Sequence, residues 1–326
     1  MRRFNPLIAS IFSMVTLLCA AGPAAAQNWP TQPVRIIVPY PGGGAGDILA
    51  RALGTKLQEK WKQPVIVDLK PGANTVIGAE AAARATNGHT LFLSTDATFT
   101  INPHLYAKLP YDAVKDFTPI TLIVSFPQML LASNNLGAST LPDIIALAKA
   151  KPRSISYGSF GPGSQPHLAT ENLKRLAGID MVHVPYRGIG LTLNALIAGE
   201  VQLIWSSVPS SQAHIRAGSV KPVAFAATKR STVFPQVPTM AELGYPTVEA
   251  NVWLGLFAPS SMPLAQVQQI NADVQELMAD PEFQARQVAA RGYESLGLGP
   301  ADFLKYLQNE SRARAELIRI SGAKAE

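Results

Sequence analysis

Cysteine is all but missing from this sequence: across 326 residues only Cys19 carries a thiol. No internal disulfide can form, so the fold has to be held by burial, which a chain of about 300 residues can manage. Cys19 also lies inside an N-terminal apolar stretch, so the rest of the chain has no thiolate for a zinc site or a nucleophile. The five histidines, His89, His104, His167, His183 and His214, stand far apart with no ligand-like pairing, which speaks against a metal centre. There is no run of Lys and Arg with interleaved aromatics. The formal charge of +6 is spread thinly, which argues against a nucleic-acid partner and leaves a mild field that draws anions in. Long apolar runs are missing too: no segment after the N terminus comes near the ~20 residues that span a bilayer without meeting a charge, Gly or Pro.

What is present begins with a leader. Arg2 and Arg3 precede an apolar run over 7–21 that ends in Ala24, Ala25 and Ala26, a small-residue cleavage pattern. The mature protein is expected to start near Gln27 and to be periplasmic. Bulky Leu18 before Cys19 speaks against lipid attachment. Loss of the leader lowers the formal charge from +6 to +4, because Arg2 and Arg3 go with it.

Short β-rich runs alternate with helical patterns along the rest of the chain, the signature of an α/β fold with largely parallel sheets. Strands are expected at 34–38, 65–68, 90–94, 155–157, 181–184, 201–204 and 223–226. Helices are expected at 47–60, where Leu49, Leu53 and Leu57 share one face, at 168–177 and 191–198, each stopped by a glycine, and at 263–278 and 300–320. Two apolar runs, 118–133 and 252–258, break the alternation and are read as strands crossing between two lobes. Residues 27–128 plus 249–326 then form one lobe and 129–248 the other.

Between the first strand and the first helix lies Tyr40-Pro41-Gly42-Gly43-Gly44-Ala45-Gly46-Asp47. Its glycines let backbone N–H groups converge on a carboxylate or phosphate, with the positive end of the helix behind them, although glycines alone also fit a tight turn. Asp47 is expected to cap that helix and to take up one or two amides, which favours a monoanionic carboxylate over phosphate. Gly43→Val is expected to fill the nest. A second glycine turn, Ser159-Phe160-Gly161-Pro162-Gly163-Ser164, also leads from strand to helix, with Ser164 as the expected cap. In open α/β sheets ligands collect at the carboxyl ends of strands, which adds Thr95, Asp96 and Thr98, then Tyr186 and Arg187, then Ser206. Trp205 and Phe160 read equally as stacking residues or as packing.

Enzyme signatures fail. The first glycine loop has Asp47 where a phosphate-binding loop needs Lys, and a dinucleotide pattern started at Gly42 would need its third glycine at Asp47. Tyr157 stands where a serine-hydrolase elbow around Ser159 needs glycine. Asp96 and His167 are the remaining candidates for acid–base work, and nothing nearby completes a catalytic set. A binding protein without cofactor or metal is therefore expected.

The order of these segments resembles the Bug-type extracytoplasmic solute receptors of tripartite tricarboxylate transporters. The resemblance rests on WPTQPVRIIVPYPGGGAGDILAR, KPGANTVIGAEAAARA, INPHLYAKLPYDAVKDFTPITLI, ISYGSFGPGSQPHLATE, VHVPYRG, ALIAGEVQLIW, KPVAFAATKRSTVFPQVPTMAELGYP and WLGLFAPSSMP, in that order. It implies a two-lobe type II periplasmic binding protein fold with a cleft, no enzymatic activity, a monomer, and a small carboxylate ligand delivered to membrane permease subunits. A ligand sensor for a membrane receptor is the alternative reading, and a secreted hydrolase or isomerase built on Asp96 and His167 a further one. The resemblance also implies that amides and waters of 40–44 and 159–164, with His167 just beyond, hold the carboxylate, and that Ser94, Thr95, Asp96 and Thr98 and the segment from Tyr186 line the pocket. Asp68-Leu69, Asn194-Ala195 and Trp205-Ser206-Ser207 depart from the family pattern by loss of carboxylates or amides. Those departures point to an acid without a cationic amine, and Trp205, if it faced the pocket, to an aromatic or otherwise flat one.

Overall fold

The computed structural model describes residues 29–227, 229–321 and 323; the leader, its cleavage site and Cys19 lie outside the described residues. In chain order the strands are β1 (Val34–Val38), β2 (Val65–Leu69), β3 (Thr90–Ser94), β4 (Phe117–Pro127), β5 (Met129–Ser133), β6 (Ser156–Ser159), β7 (Val182–Pro185), β8 (Leu203–Ser206), β9 (Val220–Phe225), β10 (Asn251–Pro259) and β11 (Glu294–Leu298). The main helices are α1 (Ala45–Trp61), α2 (Val76–Ala83), α3 (Leu141–Ala150), α4 (Gln165–Ala177), α5 (Ile189–Ala198), α6 (Val208–Arg216), α7 (Leu264–Ala279) and α8 (Pro300–Ser321). None of the described helices is long and apolar enough to cross a membrane.

The strands divide between two sheets, one ordered β11-β4-β10-β3-β1-β2 and the other β7-β6-β8-β5-β9. Both are mixed, which corrects the expectation of largely parallel sheets. β1 runs parallel to β2 and β3, and β6 to β7 and β8, but β10 is antiparallel to β3 and β4, and β5 to β8 and β9. The antiparallel members flank the places where the chain passes from one sheet to the other. The apolar run at 118–133 is two strands, one in each sheet, separated by Gln128. There the Gln128 N–H donates to the Ala250 carbonyl (2.8 Å) and the Ala226 N–H donates to the Gln128 carbonyl (2.9 Å). The outgoing and returning chains are thus tied together at the crossing.

Helix boundaries follow the local chemistry read from the sequence. α4 ends at Gly178 and α5 at Gly199, both left-handed, and each glycine N–H returns to a carbonyl of the last turn. α1 turns Leu49, Leu53 and Leu57 onto one face of the first sheet, beside Val34, Ile36 and Val38. The opposite face holds an aromatic cluster in which Phe99 stacks on Phe257 (centroids 3.7 Å apart) and Trp253 meets Phe303 edge-on at 5.6 Å. Phe303 lies in the first turn of α8, and near its other end Ile318 packs with Ile101 and Leu105 of the first half and with Leu168 of α4 in the second.

Phe303 is fully buried in this cluster. Phe303→Ala is expected to cost about 3–5 kcal/mol through lost burial and the cavity left behind, measured as a lower urea midpoint at unchanged denaturant slope.

Candidate functional site

A cleft partly open to solvent lies between the two sheets. The first half contributes Tyr40, Pro41, Gly44, Gly46, Asp96, Phe126, Val252 and Leu254, and the second Phe160, Ser164, Gln165, Gly188, Ile189, Ser207 and Ser210, with Gln128 from the crossing. Asp96 is the sole charged side chain among the described lining residues.

The first glycine loop meets the cleft through fewer residues than its sequence suggests. Gly44, not Asp47, is the N-cap of α1, in extended backbone (φ −80°, ψ 169°). Asp47 sits in the first turn; its Oδ2 accepts from the Gly43 N–H (2.9 Å), while its Oδ1 pairs with Arg51 Nε at 2.7 Å. That contact consumes the Gly43 amide, and Gly42 and Gly43 are not among the cleft-lining residues. A Cβ on Gly43 would meet nothing within 4 Å, so the expectation that Gly43→Val fills the nest is corrected. The available donors are the N–H groups of Gly44, Ala45 and Gly46, which have no intrahelical partner at this helix start and belong to residues that line the cleft.

The loop after β3 divides in two. The Ser94 and Thr98 hydroxyls bond each other at 2.6 Å, and Thr98 also donates to Thr75 (2.8 Å). Both residues are wholly buried and brace the loop from behind, outside the cleft. Thr95 and Asp96 do line it, and the Thr95 hydroxyl bonds the Tyr40 hydroxyl at 2.5 Å, which ties this loop to the first. Burial, with Asp96 nearby, raises the Tyr40 phenol well above its ordinary range, so it keeps its proton. Asp96 is 2% exposed. Its Oδ1 accepts from the Ala97 N–H (3.0 Å), its Oδ2 has no hydrogen-bond partner among the described residues, and Arg314 Nη2 stands 3.9 Å away. Burial pushes the Asp96 carboxyl up to about 6, against the pull of Arg314 and with a further push from Glu310.

In the second glycine loop most of the expected residues bond to one another. Ser159 Oγ lies 2.6 Å from His183 Nε2 and accepts from the Gly161 N–H at 3.0 Å. His167 Nδ1 accepts from the Gly163 N–H (3.0 Å), and the His167 and His183 rings stack 4.2 Å apart. Ser164 is the N-cap of α4 by backbone conformation, but its hydroxyl donates to the Gly161 carbonyl (2.6 Å) and caps no N–H. Ser159, Gly161, Gly163 and His167 therefore shape the loop, while Phe160 and Ser164 line the cleft.

Of the last group, none is among the lining residues. Arg187 is exposed, and Tyr186 packs against the core of the second sheet; Gly188 and Ile189 line the cleft in their stead. Trp205 is a core residue, 1% exposed, with its indole N–H donating to Thr170 Oγ1 at 3.0 Å. Side chains alternate along β8, and Trp205 falls on the side facing α4. Ser206 is buried and its hydroxyl is turned to the Ser207 carbonyl, so Ser207 and Ser210 supply the lining of that segment. Trp205, in the core and not among the lining residues, offers an aromatic or flat acid no stacking surface. Nor does the cleft lack a counter-charge for an amine. Asp68 pairs with Arg35 and Lys70 and Asn194 is exposed, neither lining the cleft, whereas Asp96 places a carboxylate in it.

Sequence reading missed Phe126, Gln128, Val252 and Leu254. All four belong to or adjoin the crossing strands, and chain that passes between two lobes has to run along the base of their cleft. No group of three or more potential metal ligands comes together among the described residues.

Burial, reinforced by His167, pushes His183 down to about 4, from 6.5 in an open chain. Between these values the unfolded chain binds a proton that the folded one refuses, so this contribution is complete above pH 6.5 and is lost as pH falls towards 4. Asp96, raised to about 6, works in the opposite sense over pH 4–6. His183→Asn removes the first effect and keeps the second. On acidification from pH 7 to 4.5 the wild type is expected to lose stability relative to this variant, as read from paired urea titrations.

BugT of Bordetella pertussis is 32% identical to this chain over 320 residues, covering 98% of each chain. The structure of R. palustris Rpa4515 with adipate superposes with a TM-score of 0.88 at 30% identity, covering 91% of this chain and 99% of that one. MatC from Rhodopseudomonas palustris, with bound malate, gives 0.82 at 28% identity, covering 89% and 100%. These relatives share the α/β, two-lobe periplasmic binding fold, and their kind are solute receptors, not enzymes. The family described as the tripartite tricarboxylate transporter family receptor matches residues 49–322, and this chain belongs to it.

Proposed function

We propose that this protein captures a small carboxylate in the cleft and delivers it to the membrane permease subunits of a tripartite tricarboxylate-type transporter. The observation that carries the reading is the set of N–H groups on Gly44, Ala45 and Gly46, which have no intrahelical partner at the positive end of α1 and belong to residues that line the cleft. They supply what a carboxylate needs without a cationic side chain. Phe126, Phe160, Ile189, Val252 and Leu254 offer apolar walls to its hydrocarbon part. The adipate and malate held by two structural relatives are acids of this kind.

The working unit is a periplasmic monomer, exported by residues 1–26. Residues 27–128 plus 249–326 close against 129–248, with the crossings at Gln128 and 226–250 as the hinge. A ligand that touches both halves favours the shut state by the difference in its affinity for the two states. An affinity near micromolar, about −8 kcal/mol, would load the protein and still permit release.

A thermal-shift screen against mono-, di- and tricarboxylates tests the reading. One class of acid is expected to raise the melting temperature, and a refolded, ligand-free sample that responds to no acid overturns the proposal. Gly44→Val tests the site. The backbone there admits any residue, and a Cβ would meet only Pro41 O at 3.6 Å and Ile189 Cγ2 at 3.8 Å. The variant is expected to melt with the wild type and to bind the acid at least ~10-fold more weakly, because the added side chain covers the amides; calorimetric titration measures the loss.

A further inference from the structure

Two buried polar side chains line the cleft with an oxygen unpaired among the described residues. One is Asp96, whose Oδ2 accepts no hydrogen bond. The other is Gln128, 5% exposed, whose Oε1 likewise has no partner. The main chain of Gln128 is fixed on both sides by the Ala250 and Ala226 bonds, so the root of its side chain is held in place. Arg314 links the two positions. Its guanidinium is 3.9 Å from Asp96 and donates to the Asn251 carbonyl at 3.5 Å, and Asn251 pairs in register with Pro127, next to Gln128.

Arg314 does not satisfy Asp96. It is engaged by Glu310, with Nη2 and Nε 3.1 and 3.2 Å from Oε2, and its Nη1 donates to Gln165 Oε1 at 3.2 Å. Two carboxylates share one guanidinium, which leaves one negative charge over at the edge of the cleft when both are ionised. Buried acceptors without donors are costly, and proteins keep them where water or a ligand completes the set.

We propose that Asp96 and Gln128 form a second polar subsite that takes a hydrogen-bond donor on the ligand, so that the acid captured carries a hydroxyl or an ammonium group besides its carboxylate. A second carboxylate suits this position poorly. It would bring acceptors to acceptors and a negative charge to Asp96, with no cationic side chain among the described lining residues to offset it. The Gln128 amide can serve with either end, whereas ionised Asp96 only accepts, and Asp96 therefore sets the polarity. The inference rests on the carboxylate reading above and names the acid more closely.

The test is calorimetric titration of the purified protein with two matched series: butyrate, 3-hydroxybutyrate and 3-aminobutyrate, and succinate, malate and aspartate. A substituted acid is expected to bind roughly 10- to 100-fold tighter than its unsubstituted parent, the range expected for a hydrogen bond to a charged group. Asp96→Asn is expected to abolish a preference for the ammonium acid but only to reduce one for the hydroxy acid, which separates the two donors. Gln128→Met should narrow the preference in either case. The wild-type comparison needs no variant, and melting temperatures check that both variants fold. Parents that bind as tightly as their substituted partners overturn this inference and leave the carboxylate reading standing. Binding by none of the six acids, with a thermal response only to acids that lack a hydroxyl or ammonium group, overturns this inference alone, and no response to any acid overturns both.

Discussion

The structure depends on how the chain crosses between its two sheets. At Gln128 a long apolar run leaves the first sheet and enters the second, and at 226–250 the chain comes back. The bonds from Gln128 to Ala250 and from Ala226 to Gln128 pin the two passages together. Several features follow from that tie. The returning strand β10 runs against its neighbours, both sheets become mixed, and each sheet turns the carboxyl ends of its parallel strands, with their helix entrances, towards a common cleft. The C-terminal helix α8 adds a further link, packing on the first sheet through Phe303 and on α4 through Ile318.

Within that frame the cleft recognises charge through dipoles. The helix N-terminus at Gly44–Gly46 offers N–H groups whose partial charges are fixed in direction and remain when the ligand leaves, a good basis for reversible binding. Asp47 in the first turn does not compete there, since its carboxylate is turned to the Gly43 N–H and paired with Arg51. Elsewhere the loops are stiffened from behind: Ser94, Thr98 and Thr75 under the loop after β3, and Ser159, His183 and His167 under the second glycine loop. The cleft surface is thus held by a second layer of hydrogen bonds that never reaches the ligand space.

The fold was legible because its signals are local. Alternation of β-rich runs with amphipathic stretches, glycines after α4 and α5, and the leucine face of α1 each depend on neighbours a few residues away. The two glycine loops were legible for the same reason, since strand–glycine–helix is a short-range pattern. What could not be read was which residues of a loop turn inward. Ser94 and Thr95 are adjacent and both carry hydroxyls, yet one is sealed behind the loop and the other lines the cleft. Trp205 had the chemistry of a stacking residue, and strand alternation put it against Thr170 in the core.

Composition and local pattern by themselves thus determined an α/β fold, the absence of disulfide support, the passage between sheets within the run 118–133 and the two helix entrances that meet the cleft; the run 252–258, expected to cross as well, lies wholly in the first sheet. Tertiary structure alone decided that Asp47 reaches back to Gly43, that Gly44 and not Gly43 meets the cleft, that Asp96 and Gln128 line that one cleft, and that Arg314 from the C-terminal helix comes within 3.9 Å of Asp96. The physical reason is range. Propensity and capping act within a turn or two of chain, whereas burial, charge compensation and the partnering of polar groups depend on segments that only the folded chain brings together.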